Sequence, residues 1–252
     1  MELLKPLREY AEAFWKLIFP PRCTCIFCKE GYLLNSYGIC RGCHDKITFI
    51  GKGRWIQTSE IKEGISCRMF SVVEYQGEVR KLIYRLKYSN ETYLAREMAT
   101  MMVDFIYREG LRGDCLLPIP LYKPKEKERG FNQANLLTKY ISKEAGIPNI
   151  NNNLIRNRNT KAMHHLSKRQ RRDNVKGAFT LKNPNALFGK NILLVDDILT
   201  TGSTVEACIR LLLEAGVATV TVLTFARVTK GREDDRLLLE DDGVIDEMII
   251  SN

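Results

Sequence analysis

Apolar positions along the chain fall into two alternating patterns. Short unbroken runs occur in DCLLPIPL (114–121), in NILLVDDILTTGST (191–204), where Ile192, Leu193, Leu194 and Val195 are consecutive, and in VATVTVLTFA (217–226). Runs of this kind read as strands buried on both faces of a parallel sheet. The stretch MFSVVEY (69–75) closes a series of shorter β-like runs. Other segments carry apolar residues at helical spacing. Val79, Leu82, Ile83 and Leu86 mark one helix face, and a second helix is predicted over 92–107, closed by Gly110. A third runs from Asn132 to Ala145 and stops at Gly146 with Pro148 beyond. A fourth, Ser203 to Ala215, places Val205, Ile209, Leu212 and Leu213 on one side and stops at Gly216. Residues 1–19 form an amphipathic pattern through Leu3, Leu7, Ala11, Phe14 and Ile18, ended by Pro20 and Pro21. Strand and helix patterns that alternate in this way predict an α/β fold, a parallel sheet flanked by helices.

The run 192–195 is where chemistry enters. It ends in two carboxylates, Asp196 and Asp197, followed by Thr200, Thr201, Gly202, Ser203 and Thr204 at the start of a helix. Ligands of open α/β sheets sit at the carboxyl ends of strands. Small hydroxyl residues around a glycine let backbone N–H groups wrap a phosphate, and the helix adds its positive end. Two acids beside such a cradle suit ribose hydroxyls and a shared metal, which points to a phosphorylated ribose. The chain has no G-x-x-x-x-G-K-[ST], so a nucleoside-triphosphate P-loop is a poor reading. The bland alternative is a strand-turn-helix in which these residues only cap the helix. VDDILTTGST resembles the phosphoribosyl-pyrophosphate (PRPP) motif of type I phosphoribosyltransferases.

Cys25-x2-Cys28 is followed, eleven residues on, by Cys40-x2-Cys43. Two such knuckles bring four thiolates within reach of one tetrahedral ion, predicting a structural Zn2+ with a full coordination shell and no open catalytic position. Cys23 and His44 are near misses that could substitute as ligands, while Cys67, Cys115 and Cys208 fall in apolar patterns and read as core thiols.

Composition adds a partner class. The chain has 252 residues and a net charge of +9, which favours an anionic partner. Most of that charge lies in 156–176, which holds eight Lys or Arg and the single acid Asp173. Arg156, Lys168, Arg169, Arg171 and Arg172 are its candidate nucleic-acid contacts. A mobile lid over pyrophosphate and a phosphate-contacting surface for DNA or RNA are both compatible with the segment. The stretch KPKEKERGFNQ (123–133) reads as a charged loop in which Arg129 and a lysine approach pyrophosphate. No apolar run is long enough to span a bilayer and no signal-peptide pattern opens the chain, so a cytoplasmic protein is expected. The expected organisation is an N-terminal helix and zinc module over 1–60, the α/β domain over 61–230 and an acidic extension over 231–252.

The order of motifs resembles the ComF/ComFC family of competence-associated proteins. The matching pieces are the cysteine knuckles, LIYRLKYSN, LPIPL with RGFNQA, RNRNT…LSKRQRRDNVKGAF and VDDILTTGST, spanning about Cys25 to Ala226. The resemblance implies a type I phosphoribosyltransferase-like domain with a zinc module and a cytosolic role in handling single-stranded DNA during natural transformation. It also implies PRPP with Mg2+ as ligand, Asp196 and Asp197 on the ribose, Thr200 to Thr204 around the 5′-phosphate, and a helicase as protein partner. One departure is Met163, where the family often has Gln. An active phosphoribosyltransferase of nucleotide metabolism, with an unidentified acceptor, is the alternative function.

Overall fold

The computed structural model describes residues 24–30, 33–51, 54–55, 67–158 and 177–229. The chain divides between Lys46 and Ile47 into two compact units. The N-terminal helix pattern, most of the basic segment (159–176) and the acidic extension lie outside the described residues.

The first unit is small. Its two cysteine knuckles are joined by a tight turn in which Gly38 takes φ +69° and donates to Asn35 O. A single-turn helix, α1 (Arg41–His44), carries the last knuckle cysteine, Cys43, on its buried side.

The second unit is built on one sheet in the order β1-β2-β7-β6-β3. Its strands are β1 (Arg54–Trp55), β2 (Cys67–Glu74), β3 (Cys115–Pro118), β6 (Asn191–Leu199) and β7 (Thr219–Arg227). β1 is antiparallel to β2, and every other neighbouring pair in the sheet is parallel. Residues 47–51 join this unit: Ile50 N–H donates to Val72 O and Phe49 bridges Val73. The apolar runs are the central strands, as expected, with Ile192 to Val195 and Leu223 fully buried. A separate hairpin pairs β4 (Leu154–Arg156) with β5 (Phe179–Leu181).

Helices α2 (Gly77–Tyr88), α3 (Leu94–Arg108), α5 (Gln133–Ala145) and α6 (Ser203–Glu214) match the four periodic segments within two residues at each end. Val79, Leu82, Ile83 and Leu86 of α2 are all buried. Asn132 caps α5, its side chain accepting from Ala134 N–H at 3.0 Å. One sheet face is sealed by Val205, Cys208, Ile209 and Leu212 of α6 against Ile192, Leu194, Val220 and Val222. Phe105 of α3 meets Phe70 of β2 edge-on, with ring centroids 6.1 Å apart. Cys67, Cys115 and Cys208 are core thiols, all at most 2% exposed.

Two local expectations change. KPKEKERGFNQ is not all loop: Lys123–Arg129 forms a short helix, α4, with proline in its first turn and Gly130 closing it at φ +86°. The strand at 192–195 does not stop at the acids but runs to Leu199, because β7 supplies partners along its full length, pairing Asp196 with Thr224 and Leu199 with Arg227.

Candidate functional site

The site sits at the carboxyl ends of β6 and its neighbours. Asp196 and Asp197 lie within the paired strand, and their side chains are close enough to hydrogen-bond each other. Asp197 is buried and Asp196 only partly accessible. Asp197 N–H donates to Asp196 Oδ1 at 2.8 Å, which fixes the first carboxylate against the strand backbone. Burial and the adjacent Asp197 charge push the Asp196 carboxyl well above the usual carboxylate range, and Lys87 partly offsets this. From the end of α2, Lys87 Nζ reaches Asp197 Oδ2 at 3.1 Å. That ion pair is largely enclosed, the side chains being 19% and 8% exposed.

The strand then gives way to a tight turn. Gly202 adopts φ +81°, ψ −7°, a left-handed conformation that favours glycine, and starts α6 without any side-chain cap. The first bond of α6 is Glu206 N–H to Gly202 O at 2.8 Å. Among the described residues, no carbonyl accepts from the N–H groups of Ser203, Thr204 and Val205. Three amides and the helix dipole therefore point out of a twelve-residue helix toward the turn. The Thr201 and Ser203 hydroxyls are 3.1 Å apart and frame the turn. Thr200 and Thr201 are exposed, while Gly202, Ser203 and Thr204 are partly so. The amides are thus available to an anion rather than consumed by the helix.

Arg129 lies at the end of α4, with its guanidinium 5.1 Å from the Tyr88 ring centroid. Arg156 ends β4, its guanidinium 5.7 Å from the Phe179 ring centroid. It also lines a cleft of about 70 Å³ with Pro118, Lys123, Asn132, Asn152 and Lys182. Lys168, Arg169, Arg171 and Arg172 lie outside the described residues.

In the first unit the four predicted cysteines converge. The sulfurs of Cys25, Cys28, Cys40 and Cys43 all lie within 4.8 Å of one another. Cys28 and Cys40 sulfurs are 3.8 Å apart, close to the edge of about 3.8 Å that a tetrahedron with metal–sulfur bonds of about 2.3 Å requires. Cys40 N–H donates to Cys25 Sγ at 3.3 Å, an outer contact of the kind that orients a ligand. This group could hold a metal ion. His44 is not part of it and lies instead 3.6 Å from Asp45.

A phosphoribosyl transferase domain model matches residues 149–242, which include the paired acids and the 200–204 turn. Competence protein F of Haemophilus influenzae is 31% identical over 221 residues, covering 81% of this chain and 96% of the relative. The chain belongs to the ComF family of competence-associated proteins. DNA utilization protein YhgH of Escherichia coli O157:H7 is 30% identical over 224 residues, covering 81% of this chain and 96% of that protein. Competence protein ComFC of Bacillus subtilis strain 168 is 28% identical over 228 residues, covering 84% and 89%. Two site residues that sequence reasoning did not single out, Lys87 and Tyr88, lie far upstream of the matched 149–242 stretch. Their signal was present in LIYRLKYSN, but nothing in it names Asp197 as the partner of Lys87. Among the described residues, no helix is long and apolar enough to cross a membrane.

Proposed function

We propose that the chain is a cytoplasmic, phosphoribosyltransferase-like component of DNA uptake that binds PRPP and single-stranded DNA. The observation that carries this reading is the pairing, at one strand end, of Asp196 and Asp197 with the three unengaged amides that open α6. The amides and the Thr200, Thr201, Ser203 and Thr204 hydroxyls would take the 5′-phosphate, and the acids the ribose hydroxyls. Mg2+ suits this oxygen-rich setting and would be carried mainly by diphosphate oxygens, because it keeps few protein ligands. The relatives named for competence and DNA utilization support the cellular role, and a helicase of the transformation machinery is the protein partner that role would need. Arg156 and the basic residues Lys168, Arg169, Arg171 and Arg172 would contact strand phosphates.

The metal at Cys25, Cys28, Cys40 and Cys43 would be Zn2+, since four thiolates at tetrahedral spacing match its preferred structural site. Its role would be to fold a unit too small to hold a core of its own.

Titration calorimetry with PRPP and Mg2+ tests the central claim. Saturable binding by the native chain that Asp197→Asn abolishes is the expected result; no heat with PRPP in the presence of Mg2+ overturns it. A second reading, an active phosphoribosyltransferase of unidentified acceptor, is favoured by the match at 149–242. Release of pyrophosphate from PRPP in the presence of candidate acceptors would distinguish turnover from binding.

A further inference from the structure

The end of α2 carries a partly exposed aromatic ring. Tyr88 is 42% exposed although aromatic. Its ring lies 4.9 Å from that of Tyr84, tilted by 42°, and the Arg129 guanidinium stands 5.1 Å from its centroid. Behind it, Arg85 grips Glu91 with two hydrogen bonds, Nη2 to Oε2 at 2.6 Å and Nε to Oε1 at 3.1 Å. This two-point contact ties down the Ser89–Asn90 turn that follows Tyr88. The preceding residue, Lys87, sends its ammonium to Asp197. The same helix end therefore carries a cation on the carboxylate pair and, one residue on, an aromatic–guanidinium stack whose backbone is restrained.

We infer that the Tyr88–Arg129 stack receives a nucleobase of a single-stranded nucleic acid whose phosphates lie against the basic groups around it. The inference rests on the reading of this chain as a single-strand binder. Phosphate contacts alone do not separate a nucleic acid from any other polyanion. A flat ring backed by a guanidinium does, because every base presents a π face to either group. Charge favours the same occupant: the short helix that brings the guanidinium to Tyr88 carries Lys123, Lys125, Lys127 and Arg129 against Glu126 and Glu128, a positive balance. The restraint from Tyr84 and the Arg85–Glu91 pair leaves little side-chain freedom to lose on stacking.

The test compares oligothymidylate with an abasic strand of equal length and charge, using the full chain and fluorescence anisotropy. The native chain is expected to bind the abasic strand about tenfold more weakly or worse. Tyr88→Leu should lose about the same factor for oligothymidylate and nothing for the abasic strand, and Tyr88→Phe should behave as native. Thermal melting of Tyr88→Leu should match that of the native chain, which reports intact folding. Equal binding of both strands by the native chain, or a Tyr88→Leu variant that binds oligothymidylate normally, overturns the inference while leaving phosphate binding in place. Failure of the native chain to bind either strand removes the single-strand reading itself.

Discussion

Lys87 and Asp197, far apart in sequence, meet at 3.1 Å in a largely enclosed ion pair at the end of the central strand. The pair ties the end of α2 to the candidate site. Asp197 is buried, so removal of its counter-charge leaves an anion with poor solvation. Lys87→Met is expected to cost about 2–4 kcal/mol, somewhat less than a fully buried pair because the ammonium keeps some solvent contact. Combining it with Asp197→Asn should recover much of that loss, since no charge is then stranded. A double-mutant cycle by urea denaturation measures the coupling, and strictly additive losses would exclude it.

Asp196 yields a prediction of opposite sign. Its carboxyl is held well above the usual range by burial and by Asp197. A carboxyl raised in the folded state favours folding fully below its unfolded value of about 3.9, and that contribution fades as pH rises through the folded value. At neutral pH the native chain therefore carries the cost of ionising Asp196. Asp196→Asn should raise the melting temperature at pH 7 by roughly 2–4 °C for each 1 kcal/mol recovered, with the gain vanishing near pH 4. The variant keeps the acceptor that Asp197 N–H uses. The same substitution should weaken PRPP binding, so a more stable and less competent protein is the expected outcome. A melting temperature lowered at pH 7 would contradict the electrostatic account.

How far these features were legible in the sequence depends on how local their causes are. Strand positions followed from unbroken apolar runs, because burial on both sheet faces leaves no room for polar alternation. The metal cluster followed from Cys-x2-Cys spacing alone. The acids and the turn were found, but their place inside the strand was not, since the extension to Leu199 is set by the length of β7. The helix Lys123–Arg129 was missed because it has no buried residue and hence no apolar stripe; Pro124 and Gly130 were its only marks. Lys87 and the Tyr88–Arg129 contact depend on long-range packing, which no local pattern encodes.

Gly202 and Gly216 make a matched pair for separating strain from function. Both adopt left-handed backbone, at φ +81° and +78°. Alanine at either position should cost about 1–2 kcal/mol. A Cβ on Gly216 would also fall 2.7 Å from the Phe188 ring, but that ring is 73% exposed and can turn aside. A Cβ on Gly202 would meet nothing within 4 Å, so its effect is conformational only. Gly202→Ala should weaken PRPP binding beyond its stability cost, whereas Gly216→Ala should leave binding intact. Calorimetry alongside thermal melts separates the two.

The cysteine cluster should respond to chelation and to acid. Burial and hydrogen bonding among the four sulfurs push the Cys43 thiol upward, so metal entry must displace protons and affinity must drop as the pH is lowered. Elemental analysis should find about one zinc per chain at pH 7.5, and Cys40→Ser should abolish it. Limited proteolysis of that variant should cut within 24–46, while PRPP binding persists in the second unit. Full zinc content in Cys40→Ser would show that the ion is held elsewhere.

The basic segment yields the last prediction. For single strands, each phosphate contact contributes about 0.7 to the slope of log affinity against log salt. If Lys168, Arg169, Arg171 and Arg172 each neutralise one phosphate, replacing all four with Ala should flatten the slope by roughly 3. Tyr88→Leu should lower affinity at every salt concentration without changing the slope, because stacking releases no counterions. The two perturbations thus act on different coordinates of one titration. An unchanged slope in the fourfold variant would remove these residues from the interface, and the remaining slope would then have to come from cations such as Arg156, Lys123 and Lys182 around the β4 cleft.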